Sequence, residues 1–338
     1  MNNAAAERHG RSRPDACSVV WDNARASALG TAPEARFWLA LEQNGPWGVQ
    51  AATQSHLDPG LGETLTRMCQ EAAGRFILIR RPATHSDLGH GRPQKVNTQR
   101  VYLAGGLAGR PWLLEADLDN PAPLARLAGL QMGTLHLEDP GGAGIDAIRD
   151  ILPELEPSPG PVLMVCTNSR RDVCCSVRGR PVAIESSSQR PGRVWECSHT
   201  GGHRLAPTGV LLPHGQAFGR LSGRSAVAAV DAAMCDEVPT ELMGATYDRG
   251  RSHLTAPGQA AESVVRQQIR EPSLLALSTT TTPRPGQVNA WQCRVSHVDG
   301  RHWDVVAVRG PSGADLPESC GREPVPIWQW SVVNDFGR

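Results

Sequence analysis

Two stretches of the 338-residue chain gather residue types that bind soft metals. VLMVCTNSRRDVCC, residues 162–175, places Cys166, Cys174 and Cys175 within ten positions, a third of the nine cysteines, directly after an apolar run. Downstream, ECSHTGGHRLAPT carries Cys197 and then His199 and His203, with Thr200, Gly201 and Gly202 between the histidines. Cysteine thiolate and neutral imidazole are both transition-metal ligands, and soft sulfur selects zinc or iron–sulfur clusters. Two glycines inside His-Thr-Gly-Gly-His open backbone conformations closed to other residues, so both rings can turn to one point. Cys166, Cys175, His199 and His203 are therefore the candidate ligand set.

On the residues alone, zinc and a cluster stand level. Two Cys and two His suit tetrahedral zinc, and the histidine spacing falls within zinc-finger limits, although eight residues between the cysteines exceed the usual knuckle gap. Thiol chemistry at the vicinal pair Cys174–Cys175 is a third reading, but Cys-x-x-Cys is absent and adjacent cysteines close only a strained ring. Cys174 is expected to pack inward as a small hydrophobe, with a slipped ligand set using it in place of Cys175 as the alternative. Cys197 is a spare thiol better read as core. Arg170, Arg171 and Asp172 inside the first loop, and Arg204 after the second histidine, either offset a negative cluster or dock an acidic partner. Their plain reading is a solvated loop, with Asp172 capping the next helix.

Those side chains need elements to position them. PVLMVC is a continuous apolar strand of the kind found at a buried sheet centre. A helix around RPVAIESS, a strand at RVWEC, a hairpin of TGVLLP and AFGRL about HGQ, and a helix at GRSAVAAVDAAMCDEV follow. The two ligand loops succeed parallel strands, which brings them to one end of the sheet. The first half has the same order. RFWLALEQ, the helix GETLTRMCQEAAG, the strands RFILIRR, VYLAGG and PWLLEADL, and a helix at NPAPLARLAGL with Asn120 as N-cap and Pro121 first give β-α-β-β-β-α again. The fold class read from this is α/β, a thioredoxin-like sheet flanked by helices. A degenerate copy without ligands precedes it and a small α+β unit follows. The expected divisions are a disordered tail over 1–30, an N-terminal domain over 31–154, the ligand-bearing domain over 155–236, a connection over 237–257 and a C-terminal domain over 258–338. The last contains the helix GQAAESVVRQQIR, a threonine–proline linker STTTTPRPG, a hairpin turning at Asp299-Gly300 and a final strand in PVPIWQWSVV.

VCTNSRRDVCCSVRGRPVA, then VWECSHTGGHRLAPT and GRL, resemble the sucrase/ferredoxin-like family. The resemblance is strongest over 155–225 and extends more weakly from GTAPEARFWLALEQNGPWG to GRSHLTAPGQAAESVV. It implies a thioredoxin-like ferredoxin whose [2Fe-2S] cluster is held by Cys166, Cys175, His199 and His203. This chain has Asn168-Ser169 where His-Gly is common in the family, at a position that is not a ligand. The implied function is electron transfer to an unidentified redox partner. Histidine in place of cysteine raises the potential, as in Rieske centres, and the second imidazole nitrogen can titrate, so the transfer is expected to be proton-coupled. No motif places paired carboxylates for glycoside hydrolysis, so no sucrase activity is expected.

Composition bounds the rest. There are 34 basic and 34 acidic residues, a net charge of zero, with no basic stripe, so nothing supports nucleic-acid binding. The first twenty residues lack an apolar signal core and no 18-residue apolar run occurs, so a cytoplasmic protein without a membrane span is expected, and the oligomeric state stays unknown. The tryptophans read as core, and His136, His214 and His297 as surface or turn residues.

Overall fold

The computed structural model describes residues 13–82, 98–130 and 143–334. A short helix, α1 (Cys17–Asn23), opens them. The first half comprises β1 (Trp38–Glu42), α2 (Pro59–Glu71), β2 (Arg75–Arg80), β3 (Gln99–Gly105), β4 (Trp112–Leu118), a 3₁₀ stretch over Ala122–Gly129, α3 (Ala143–Ile151) and β5 (Glu156–Pro157). The second comprises β6 (Val162–Cys166), α4 (Val173–Gln189), β7 (Val194–Cys197), β8 (Gly209–Leu212), β9 (Gln216–Phe218), α5 (Gly223–Ala233) and β10 (Asp248–Arg251). Then come α6 (Ala256–Ile269), β11 (Leu277–Pro283), β12 (Ala290–His297), β13 (His302–Pro317) and β14 (Pro324–Asn334).

One ten-stranded mixed sheet runs through both halves in the order β10-β9-β8-β6-β7-β2-β1-β3-β4-β5, and a separate antiparallel sheet holds β11–β14 in sequence. Within the first half β1 and β2 are parallel, β3 is antiparallel to β1 and β4 to β3. The second half repeats this, with β6 parallel to β7, β8 antiparallel to β6 and β9 to β8. The halves meet where β2 pairs antiparallel with β7, at Ile79↔Cys197 and Arg80↔Glu196. A buried ion pair of 2.8 Å between Arg80 and Glu196 fastens that seam.

The continuous apolar strands follow from burial on both faces. Leu39 and Leu41 of β1 join a core with α2, while Trp38 and Ala40 between them join a second core on the other face. That second core crosses the seam, bringing Ile77 and Ile79 together with Met164, Cys166, Trp195, Cys197 and Val210. Alternate residues Leu163 and Val165 of β6 turn instead toward α5.

Four expectations change. The loose tail was expected to reach residue 30, yet Cys17 and Trp21 of α1 are buried, Trp21 Nε1 donates to the Pro317 carbonyl at 2.9 Å and Asp22 pairs with Arg178 at 2.7 Å. A seven-residue helix is marginal by itself; tertiary contacts that local sequence cannot reveal hold it. Within the connection over 237–257, β10 is an edge strand of the large sheet. The threonine-rich linker is β11, paired along its length with β12. Its alternating exposure reflects a sheet with one covered face, where threonine is a good strand former. The helix expected at Asn120 is a 3₁₀ stretch, with Asn120 Oδ1 accepting from the Ala122 N–H at 3.0 Å.

Candidate metal centre

Cys166 ends β6 directly across from Cys197, which ends the parallel neighbour β7. The loop after β6 leads into α4, whose N-cap is Asp172, its carboxylate accepting from the Cys174 N–H at 2.8 Å. Helical geometry turns Cys174 and Cys175, one residue apart, to different sides. Cys175 points to Cys166, and the two buried thiols interact. Gly179, one turn further along, lets α4 lie against the end of β6: a Cβ there would stand 2.3 Å from the Cys166 carbonyl oxygen.

The loop after β7 brings His199 close to the Cys166 thiol, and the Thr200 N–H hydrogen-bonds to that sulfur. The thiol pair shares its protons unequally. The hydrogen bond from Cys175 holds Cys166 well below the usual thiol range against the cost of burial, with His199 assisting. Cys175 is pushed up correspondingly by the Cys166 interaction and by burial. A thiolate at this place also benefits from the first turn of the 17-residue α4.

Gly201 and Gly202 both have φ of +71°, so the turn between the histidines runs through left-handed backbone. Gly202 is required twice over, since a Cβ would lie 2.5 Å from a guanidinium nitrogen of Arg249. Arg249, fully buried on β10, donates to the Gly201 carbonyl at 3.1 Å, to Thr31 Oγ1 at 3.1 Å and to the Thr31 carbonyl. Burial lowers its pKa to about 9. Nothing in the local sequence flags Arg249, which comes forty-six positions after His203 and reaches the turn only through the β9–β10 pairing.

His203 is held by other contacts. Its Nε2 donates to the Glu318 carbonyl at 2.7 Å and lies 3.8 Å from Asp172 Oδ2. The segment between β13 and β14 thus supplies a partner to the site. His199 Nε2 meets Arg171 at 3.4 Å. A guanidinium can only donate, so this contact makes Nε2 of His199 the acceptor, whereas the Glu318 carbonyl makes Nε2 of His203 the donor. Among the described residues, Nδ1 of both histidines is buried without a hydrogen-bond partner. Buried polar atoms rarely remain unpaired, and a ligating histidine usually donates its other N–H to a carbonyl, as His203 does here.

Cys174 does not pack among apolar side chains alone. Its sulfur lies 3.6 Å from Cys17 Sγ and 3.1 Å from Cys320 Sγ, and Cys320 and Cys17 are 3.5 Å apart. Cys17 and Cys320 lie outside every local motif, so no local pattern points to them. Among the described residues, Cys17, Asp172, Cys174 and Cys320 are the metal-binding side chains that converge closely enough to hold one ion, their donor atoms all within 4.8 Å. Cys197 is fully buried in the core beside Cys166, and burial raises its pKa well above the usual value. Arg204 stacks on Trp21 at 4.8 Å instead of facing open solvent. Asn168, in the place where His-Gly is common, is buried and donates to the Gly48 carbonyl at 3.0 Å, tying the ligand loop to the first half. His214 and His297 pair with Asp236 at 2.8 Å and Glu271 at 2.9 Å, and His136 lies outside the described residues.

A cavity of about 290 Å³ opens beside the glycine turn, lined by Trp21, Gly202, Arg204, Arg249, Arg309 and Trp330 among others. No helix among the described residues is long and apolar enough to cross a membrane.

Searches of curated proteins and of solved structures return no match to this chain. The family model described as sucrase/ferredoxin-like, however, matches residues 30–243, which hold Cys166, Cys175 and the glycine turn together with both strands that carry them, and the chain belongs to that family.

Proposed function

We propose that the protein is an electron carrier whose [2Fe-2S] cluster is held by Cys166, Cys175, His199 and His203. The observation that carries this reading is the donor set itself: two interacting buried thiols at the end of β6 and the start of α4, with two buried imidazole Nδ1 atoms that lack partners. The residues fit the group. A single tetrahedral ion needs donors within about 4.6 Å of one another, twice a zinc–sulfur bond; these four are not among the side chains converging that tightly. A two-iron cluster distributes its terminal ligands over two metals and tolerates the wider spread. The divergence of Cys174 from Cys175 speaks against a vicinal dithiol enzyme. The repeated β-α-β-β-β-α order, with one strand arrangement in both halves, supports two thioredoxin-like units in tandem, the first without ligands.

When bound, such a cluster supplies one-electron transfer. The chain's residues set its terms. The Arg249 guanidinium fixes the glycine turn and places a buried positive charge behind both thiols. The Glu318 carbonyl fixes the His203 tautomer with Nδ1 free to ligate, while ligation of His199 through Nδ1 would displace the proton that the Arg171 contact puts there. Each ligated imidazole keeps its outer Nε2 as a proton site near solvent. The cavity rimmed by Arg204 and Arg309 beside tryptophans offers an acidic redox partner a cationic landing place.

The test is iron, sulfide and visible absorption on protein purified without oxygen. About two irons and two sulfides per chain with bands that bleach on reduction, lost in Cys166→Ser and Cys175→Ser, are expected. The potential should then fall by about 59 mV per pH unit where an imidazole titrates. A colourless protein with no iron after reconstitution, or one unaffected by either cysteine change, refutes the reading.

A further inference from the structure

We propose a second, mononuclear metal site in which Cys17, Cys174 and Cys320, with the Asp172 carboxylate, bind Zn²⁺ beside the four-residue centre. The three sulfurs form a triangle with edges of 3.6, 3.1 and 3.5 Å. At a zinc–sulfur bond of 2.3 Å, one point satisfies all three and lies about 1.2 Å off their plane. An undistorted tetrahedron would have edges of about 3.8 Å, so loading opens the triangle by a few tenths of an ångström. The sulfurs are too close together to serve different irons of a cluster and well beyond a disulfide bond of about 2.05 Å. Asp172 supplies the fourth donor from 3.8 Å, the distance of each of its oxygens from Cys17 Sγ.

The carboxylate is already oriented for the task. Oδ1 accepts from the Cys174 N–H at 2.8 Å, and Oδ2 from the Ser319 hydroxyl at 2.8 Å and the Cys320 N–H at 2.9 Å. These bonds hold two of the three cysteines in register and leave the remaining lone pairs for an ion. Cys17 and Cys174 are buried, and the half-buried Cys320 leaves a way in. Three thiolates select a soft ion, and a closed four-donor set of this kind is a structural zinc site. Its ligands come from α1, the first turn of α4 and the β13–β14 connection, so the ion clasps three distant parts of the chain. The site stands on these distances and is independent of what Cys166 and Cys175 bind.

The full-length protein, incubated with Zn²⁺ alone and desalted, is expected to retain about one zinc per chain that Cys17→Ser and Cys320→Ser each reduce to below about a tenth. Cys166→Ser should leave that zinc in place. Because Cys17 is a core residue whose variant can fail to fold, the second measurement uses Co²⁺ in the wild type and in Cys320→Ser. Sulfur-to-cobalt absorption is expected in the wild type and, like the zinc, falls below about a tenth of it in Cys320→Ser. Zinc lost in Cys166→Ser but kept in Cys17→Ser overturns the proposal by placing the ion at the other centre. So does cobalt uptake without thiolate absorption, or a Cys174–Cys320 cross-link in peptides from unreduced protein.

Discussion

Gly202→Ala separates two costs that the structure assigns to one position. The backbone there has φ +71° and ψ 36°, and holding alanine in that region costs about 1–2 kcal/mol. The added methyl would also sit 2.5 Å from Arg249 Nη2 and 2.8 Å from its Cζ. Buried beneath the turn, Arg249 cannot swing into solvent, and moving it gives up at least one charged hydrogen bond, worth about 1.5–3 kcal/mol. The substitution should therefore destabilise by about 3–4 kcal/mol, against about 1–2 kcal/mol in an Arg249→Ala background, where the methyl meets no guanidinium. Urea unfolding of the four proteins of this double-mutant cycle, in one metal state, reads the difference as a coupling of about 2 kcal/mol. Additivity within about 0.5 kcal/mol would mean that Arg249 does not fill the space beneath the turn.

Glu262 lies buried between Arg251, at 2.6 and 2.7 Å, and Arg266. Against the cost of burial, Arg251 holds its pKa at about 2, below the usual 4.5. A depressed carboxylate stabilises above its unfolded pKa and loses that contribution as the pH falls from about 4.5 toward 2. The stability gap between wild type and Glu262→Gln should shrink by about 3 kcal/mol over that window, and a constant gap in denaturant melts would refute the pairing. Cys197→Ala deletes a fully buried thiol that the site reading leaves without a ligand role; it should cost on the order of 1 kcal/mol and leave iron content as in the wild type. Iron loss equal to that of Cys175→Ser would make Cys197 a ligand.

Strand order in both halves was legible because the central strands β1, β6, β7 and β8 are buried on two faces and punctuated by turn residues. That Cys166, Cys175 and His199 meet was legible for a related reason, since loops after parallel neighbours emerge at one end of a sheet. What stayed hidden depends on contacts between distant segments. Cys17 and Cys174 are 157 residues apart and Cys17 and Cys320 are 303 apart, and no local pattern encodes such pairing. Cys174 packs inward as expected, but its two thiol neighbours stayed hidden because they arrive from opposite ends of the chain. Arg249 was invisible because buried arginine has no periodic signature, and the threonine run of β11 read as a linker because a one-faced edge strand looks polar in sequence.

The antiparallel seam between β2 and β7 also bears on separability. A fragment cut to the second half would strip β7 of the Ile79 and Arg80 pairing and take the Arg80 guanidinium from the buried Glu196 carboxylate. The exposed strand would then present unpaired amides and carbonyls beside Trp195 and Cys197, a template for self-association. A chain whose two halves seal each other's raw edges can be neither trimmed to one of them nor exchanged half by half with a relative. The first half acts as the missing neighbour without which the second would find a partner in its own kind.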